Sequence, residues 1–507
     1  MMIYKFGNIR ISLANNRGSM ILVTYFVIFL MIGLGSAYVL FATNEGRVSE
    51  RQRLGTVAFH IAEAGIERAL SDLRLDFVGA SSPSWSDGDI NGYSIGPNTA
   101  SYYSIPYVST SVNGGSYSVQ MKNVALNEHV WVKSVGTIQD ATHTIEVYVK
   151  MINLSPWDNA IFAGSGASGA MINGNVDIRG SVHILGTGLN PGDFAVDLGG
   201  TAELVGNNYS TLDSALAAKV PALPTTVVNG VTVQTLGAEL RVKNGLVGLS
   251  GSSTVGETNN DANSVKETVD GVFVTDGWGG NQGAASVHSD NGTSTAYDLG
   301  DTISFPHLSD PSAANPAISH QQYLQSIGYT PTAGEAAQLA NITPASSFTI
   351  GDANGSITMD GSGNMTVNGV VYLDGGANLG FSKSGANKTI TYTGTGSILV
   401  TGNVQVNASL ITSGNNSFPS NILGIMTPND IGFNEANIDV MGLYYAENQV
   451  RVEKQTDIMG TIVSNYFDMG TNVPAIFQVP DTANNLPPGM IGGDNVYWYL
   501  LVAWIKT

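Results

Sequence analysis

Residues 19–43, SMILVTYFVIFLMIGLGSAYVLFAT, form an apolar stretch without a charged side chain. As a helix rising about 1.5 Å per residue, this stretch would measure roughly 40 Å, against a bilayer hydrocarbon core of about 30 Å. A secretory signal peptide has an apolar region of only about 7 to 15 residues and ends in a small-residue cleavage site. The polar sequence Glu45-Gly46-Arg47 offers no such site. The stretch therefore predicts one tilted membrane-spanning helix.

Three basic residues precede this span, namely Lys5, Arg10 and Arg17. By the positive-inside rule they hold residues 1–18 in the cytoplasm as a short leader. The chain beyond about Glu45 is then extracytoplasmic. The expected location is the bacterial inner membrane, crossed once, with the leader inside.

The helical pattern continues beyond the span to about residue 78, because no proline interrupts it and apolar residues recur at helical spacing. The apolar positions of this second half are Leu54, Val57, Ala58, Ile61, Ala62, Gly65, Ile66, Ala69, Leu70 and Leu73. Within the span, Gly33 and Ala37 lie one turn apart. They either let another helix approach closely or reflect only the tolerance of membrane helices for glycine.

Two short motifs in this helix resemble those of a known family. Arg17-Gly18-Ser19-Met20-Ile21-Leu22-Val23 is similar to a type IV prepilin processing site, and Ala62-Glu63-Ala64-Gly65 resembles the AEAG stretch of PilX-type minor pilins. The resemblance covers about the first 75 residues. It implies cleavage between Gly18 and Ser19 by a membrane-embedded prepilin peptidase. It also implies a helix held in membrane lipid first and among other pilins or pseudopilins afterwards.

The sequence departs from most pilins at Val23, the fifth residue after the implied cut. The family has a glutamate there, which neutralises the N-terminal amine of a neighbouring subunit, and an unpaired carboxylate in lipid would be costly. The K-type pseudopilins at the tip of secretion filaments also lack this glutamate. Val23 is therefore compatible with a tip or initiating subunit.

After a loop rich in Ser, Gly, Asp and Asn, residues 79–152 contain runs that alternate apolar and polar side chains. Gly115 to Met121, His129 to Gly136 and Thr142 to Val149 have this pattern at strand-like length. They predict an antiparallel β meander with one face inward. With the long helix, this makes an α+β pilin-like N-terminal module that ends near Met151.

The remaining residues, 153–507, contain short strand-like runs separated by Gly and Asn, such as Ser356 to Asp360 and Ser397 to Val400. This pattern predicts a mainly β domain and favours a β-solenoid, with a β-sandwich as the alternative. Residues of about 209–345 are less regular and are interpreted as an insertion with short helices at Thr211 to Lys219 and His320 to Ile327. The apolar segment Val496 to Ile505 is too short to span a membrane and is interpreted as a buried strand closing the fold.

Composition excludes several kinds of site. The chain of 507 residues has 61 glycines, no cysteine and a formal net charge of −19. Disulfides and thiolate metal sites are therefore ruled out, and nucleic-acid binding through a basic face is disfavoured. No HExxH pair is present, which disfavours a zinc site, and no cofactor motif was found.

Few residues indicate chemistry. Asp352, Asn354 and Asp360 are candidate Ca²⁺ ligands through oxygen, with solvated turn acids as the more common reading. The sequence thus predicts a non-enzymatic, minor-pilin-like subunit of a type IV pilus or a secretion pseudopilus, and Val23 is compatible with a position at its tip. Its β domain would serve adhesion to a surface ligand or glycan, or assembly control. The alternative is a membrane-anchored β-solenoid enzyme or binder acting on polysaccharide.

Overall fold

The computed structural model describes residues 16–75, 101–107, 109–125, 129–153, 155–166, 171–172, 175–190, 193–228, 231–243, 246–256, 272–274, 304–469, 474–493 and 497–506. The chain forms two compact units. The first contains Met1–Ile152 and Trp498–Thr507, and the second contains Asn153–Tyr497.

The first unit begins with one long helix, α1, which spans Asn16–Leu75. Every side chain from residue 20 to residue 50 is exposed, whereas the apolar positions from Ala58 to Leu73 are buried. The buried positions recur every three or four residues, so they lie on one face of the helix. The predicted membrane half of the helix is therefore exposed, whereas one face of the second half is buried.

The sheet of the first unit follows α1. Its first strands are β1 (Tyr103–Ile105), β2 (Ser111–Val112), β3 (Gly115–Ala125), β4 (His129–Ile138) and β5 (Ala141–Asn153). Strands β3, β4 and β5 pair antiparallel in chain order, as the alternating sequence predicts. Alternate residues such as Val130, Val132, Ile145 and Val147 are fully buried, which gives the sheet one apolar face.

Small residues let α1 approach this sheet closely. A Cβ added at Gly136 of β4 would lie 2.5 Å from the Ala62 backbone nitrogen of α1. At the polar edge of the contact, Arg68 donates to the Tyr117 hydroxyl at 2.9 Å, and its guanidinium lies 4.0 Å from the centre of the Tyr107 ring. The AEAG segment of α1 is therefore part of the contact between helix and sheet.

The second unit opens with short strands and one short helix. They are β6 (Ile161–Gly166), β7 (Met171–Ile172), β8 (Asp177–Arg179), β9 (Val182–Ile184), β10 (Phe194–Leu198), β11 (Glu203–Gly206), α2 (Ser214–Ala217), β12 (Thr225–Val228), β13 (Val231–Gln234), β14 (Leu240–Val242), β15 (Leu246–Leu249), β16 (Thr254–Val255) and β17 (Val272–Val274).

Two helices and longer strands complete the second unit. They are α3 (His320–Ile327), α4 (Ala333–Leu339), β18 (Ser347–Gly351), β19 (Gly355–Asp360), β20 (Asn364–Leu373), β21 (Leu379–Ser382), β22 (Thr389–Thr393), β23 (Thr395–Val400), β24 (Val404–Asn407), β25 (Ser409–Thr412), β26 (Ile422–Thr427), β27 (Asp430–Phe433), β28 (Ile438–Val452), β29 (Thr456–Asp468) and β30 (Ala475–Phe477).

From β20 onward the strands stack in parallel register. The sheet then runs from β29 to β6, β9 and β14, so early and late parts of the chain join in one stack. One buried apolar column runs through it, in the order Val371, Ile398, Ile425, Tyr444, Ile462, Ile161, Val182 and Leu240. Parallel strands buried in this way explain the β-branched runs in the sequence.

Asparagines join successive strands at the corners of the stack. The Asn421 side chain accepts from Gly394 N at 2.8 Å, 27 residues away, and the Asn378 side chain accepts from Asn403 N at 2.8 Å, 25 residues away. These bonds satisfy backbone groups that a turn would otherwise leave unpaired. The recurrent Asn in the sequence therefore has a structural role.

The predicted insertion at about 209–345 needs correction. Strands β14, β16 and β17 belong to the parallel stack, because β14 pairs with β9, β16 pairs with β11 and β17 pairs with β14. The strands are only two or three residues long, which is too short for a hydrophobic period to show in the sequence. Of the predicted helices, α3 has the expected bounds, whereas α2 is shorter than expected.

The apolar segment near residue 500 forms a strand, as interpreted, but it lies in the first unit, whereas the predicted domain 153–507 included it. It forms β31 (Tyr497–Lys506), which pairs with β5 and extends the sheet of the first unit rather than closing the second. Without β31, the outer edge of β5 would present unpaired backbone donors and acceptors, and β31 satisfies them. Sequence alone shows an apolar strand but not which open edge it completes.

Candidate functional site

Among the described residues, the exposed half of α1 forms a long apolar surface. Its large apolar side chains are open to their surroundings, with Phe29 at 76% and Tyr38 at 75% exposure. An 18-residue window of this helix has mean hydropathy 2.3 with none of it buried. By length and composition this helix can cross a membrane. A surface of this size marks a lipid or protein contact.

The predicted processing positions lie in the described part of α1. Arg17, Gly18 and Ser19 belong to the helix Asn16–Leu75, whereas Lys5 and Arg10 lie outside the described residues. Cleavage between Gly18 and Ser19 stays a prediction.

Val23, Gly33 and Ala37 are also on the exposed half of α1. Val23 is 60% exposed, and a Cβ added at Gly33 would meet nothing within 4 Å. Gly33 and Ala37 are four residues apart and share one face of the helix. The predicted small-residue patch is thus open to a second helix.

The candidate calcium ligands are divided between the two ends of one hairpin. Asp352 lies in the turn between β18 and β19 and accepts from Asn354 N at 2.8 Å. Asp360 ends β19 and accepts from Ser362 N at 2.7 Å and from the Asn364 side chain at 2.7 Å, and these bonds lower its pKa. In the described residues no group of His, Cys, Asp and Glu is arranged to hold a metal ion. Both ends have the geometry of ordinary turns capped by a carboxylate.

Two carboxylates stand side by side on the parallel stack. Asp439 of β28 is the register partner of Asp457 of β29. Burial, followed by the negative charges of Asp439, Asp213 and Asp177, raises the pKa of Asp457 to about 6. Burial likewise raises the pKa of Asp439, and the positive charge of Lys388 opposes this effect. The carboxyl groups of Asp457 and Asp439 therefore bind a proton at higher pH in the folded chain than in the unfolded chain.

Replacing Asp457 should change how the stability of the chain depends on pH. Because the folded-state pKa of Asp457 lies above the usual 3.8, protonation stabilises the fold, and this stability is lost as pH rises through about 6. Asp457→Asn should therefore stabilise the chain by roughly 1 kcal/mol at pH 7.5, after discounting for solvent screening, and give no gain at pH 4. Thermal unfolding at both pH values measures this. Asp374→Asn, in an exposed turn, is the control, and an equal gain at pH 4 would contradict the prediction.

A cavity of about 440 Å³ in the second unit was not predicted from the sequence. Pro306, His307, Asp310, Pro311, His320 and Tyr323 contribute to its wall, together with the turn at residues 489–493. The turn at residues 489–493 is far in sequence from residues 306–323, and the set matches no motif, so only the fold brings the two segments together. The spacing of His307, His320 and Tyr323 offers no signal by itself.

Comparisons with known proteins bear on the fold. The structure is similar to the crystal structure of the competence-associated pilin ComZ from Thermus thermophilus, with a TM-score of 0.52 and 21% sequence identity. The similarity covers 90% of this chain and 97% of that chain. No family model and no curated protein matches the sequence. The chain therefore has a pilin-like fold, with a long N-terminal helix followed by a large, mainly β region.

Proposed function

We propose that this protein is a structural subunit of a type IV pilus or of a related secretion pseudopilus, and that it displays the second unit outside the cell. The observation that carries the proposal is the exposed apolar half of α1, whose other half is packed on a sheet. Such a helix can lie in lipid before assembly and among the helices of neighbouring subunits afterwards. The pilin-like fold supports the same function.

The finer parts of the proposal rest on the sequence. Prepilin peptidase would cut between Gly18 and Ser19, leaving α1 on the mature subunit, and the AEAG motif favours a PilX-like minor pilin. Val23 in place of the usual glutamate favours a tip or initiating position. The leader charges Lys5, Arg10 and Arg17 would hold the N-terminus in the cytoplasm.

We propose further that the second unit is a β-solenoid. Its parallel register, repeated strand after strand, supports this assignment over a β-sandwich, whose sheets are antiparallel. A rigid stack of this kind would present loops and helices on its outside for adhesion or assembly control. No observation on the described residues favours the alternative of a polysaccharide-acting enzyme.

The cleavage site is tested with Gly18→Val. A branched side chain should hinder entry of the extended backbone into the peptidase, so the variant is expected to keep its leader, with processing reduced at least tenfold. Intact-mass spectrometry of membrane-extracted protein reads the N-terminus, which should be Ser19 in the wild type. Gly35→Val, on the same helix and with open space around it, is the matched control.

Assembly is measured by co-purification from the same cells that produce the wild type or Gly18→Val. If pilins or secretion components co-purify with the processed wild type but not with Gly18→Val, the subunit function is supported. A wild-type protein whose mature N-terminus differs from Ser19 would refute the processing site, and one that associates with no pilin would refute the subunit function.

A further inference from the structure

The cavity described above has walls that are fastened to the parallel stack. One wall is the segment at residues 304–314, where Phe305 stacks on Tyr445 with ring centres 5.8 Å apart and on Phe162 at 6.4 Å. The Tyr445 hydroxyl donates to the Pro306 carbonyl at 2.6 Å. This wall is therefore anchored through buried aromatic residues of β28 and β6.

The second wall is α3, whose N-terminus is closed by a capping box formed by Ser319 and Gln322. Leu324 is fully buried beneath the helix, and the Gln321 side chain donates to the Tyr372 hydroxyl at 3.1 Å. His320 N also donates to the Asp310 carbonyl at 2.8 Å, which joins this wall to the first. The helix is thus held on both its inner face and its first turn.

The third wall is the turn at residues 489–493. Its Gly489 carbonyl accepts from His320 Nε2 at 2.9 Å, and its Ile491 carbonyl accepts from Trp157 Nε1 at 2.7 Å. Trp157 itself is fully buried. Because all the walls are fixed in this way, a ligand would enter a preformed cavity and would pay little for ordering it.

The chemistry of the lining combines ring faces with a few polar groups. His307 Nδ1 lies 2.8 Å from Glu447 Oε1, and since a carboxylate only accepts, Nδ1 is the donor. This bond orients the imidazole of His307 at the cavity wall. Asp310 adds a carboxylate at the wall, and Tyr323 adds an aromatic ring with a hydroxyl.

We propose that this cavity binds a neutral sugar residue of a glycan. The C–H face of a pyranose packs on an aromatic ring such as that of Tyr323, because those hydrogens are weakly positive and the face of the ring is negative. The proline rings of the lining add apolar contact. The sugar hydroxyls find acceptors and donors in Asp310, His307 and Tyr323. The carboxylates of Asp310 and Glu447, in a chain of net charge −19, disfavour acidic sugars. The inference rests on the proposed display function and assigns its ligand class.

The test uses the full chain in a zwitterionic detergent, since sugar-headed detergents would compete. The wild type is probed on an array of oligosaccharides ending in neutral hexoses or N-acetylhexosamines, and the tightest of these is then measured by calorimetry. Tyr323→Ala and Asp310→Asn should each weaken binding about tenfold or more. The matching oligosaccharide with a terminal uronic acid should also bind at least tenfold more weakly than the neutral one.

The control is Tyr466→Ala, which removes an aromatic ring that is 39% exposed on β29 and does not line the cavity. It should bind as the wild type does. Asp310→Asn keeps a side-chain oxygen for His307 N, so it reports on binding even if Tyr323→Ala fails to fold. No binding on the array, stronger binding of acidic sugars, or wild-type affinity in both Tyr323→Ala and Asp310→Asn would overturn the proposal. The mature N-terminus and the co-purification of pilins are measured separately from sugar binding. The proposed subunit function and the proposed sugar site can therefore fail independently.

Discussion

Gly136→Ala is expected to separate the C-terminal half of α1 from the sheet of the first unit. A Cβ at this position would lie 2.5 Å from the Ala62 nitrogen, closer than real Cβ contacts come, and it would meet the Ala58 carbonyl as well. Both are backbone atoms of α1, so no side chain can rotate away. We expect a loss of about 3 kcal/mol, the upper range for overpacking in a core.

Hydrogen exchange followed by mass spectrometry measures this loss. Peptides covering the buried face from Ala58 to Leu73 should exchange about a hundredfold faster, since each 1.4 kcal/mol is a factor of about ten. Gly55→Ala, on the same helix with nothing within 4 Å of the added Cβ, should leave exchange unchanged or slower. Unchanged exchange in Gly136→Ala would mean that α1 does not pack on β4 as described.

Gly460→Ala should destabilise the second unit even more, by about 3 to 5 kcal/mol. Gly460 is the register partner of Gly442 in the neighbouring strand, and its φ of +133° lies in a region that favours glycine. An added Cβ would fall well under 3.0 Å from the Gly442 carbonyl oxygen. The substitution therefore combines backbone strain with a collision between two strands of the stack.

A matched control separates these two effects. Gly385→Ala also has a positive φ, +59°, but its Cβ would meet nothing within 4 Å, so only the strain of about 1 kcal/mol is expected. The amides of β28 and β29 should lose protection in Gly460→Ala and keep it in Gly385→Ala. Equal behaviour of the two variants would show that the close approach of Gly442 and Gly460 is not essential.

The parts of the fold that could be predicted are those with a long and regular pattern. The apolar span and the amphipathic half of α1 extend over many turns, and β3, β4 and β5 each repeat their alternation several times. Periodicity is reliable over such lengths. Strands of two or three residues, such as β14 and β16, are too short for an alternation to repeat, so the sequence predicts an insertion there instead.

The pairing of strands and the positions of sites are harder to predict than helices and strands, because they depend on contacts between residues that are distant in sequence. The partner of β31 is decided by which sheet edge remains open, and the cavity joins His307, Tyr323 and the turn at residues 489–493 through the stack. The candidate calcium ligands show the reverse case, since Asp352 and Asp360 are close in sequence but at opposite ends of a hairpin. Proximity along the chain therefore does not by itself place two carboxylates at one site.

The position of β31 has a consequence for the order in which the protein is made. β31 follows the whole second unit in the chain, yet it joins the sheet that begins with β1. During synthesis, the outer edge of β5 therefore stays open until residues 153–497 have been made. A chain interrupted anywhere within the second unit would retain α1 and the meander but lack that strand. Only a chain that includes residues 497–506 covers the edge of β5.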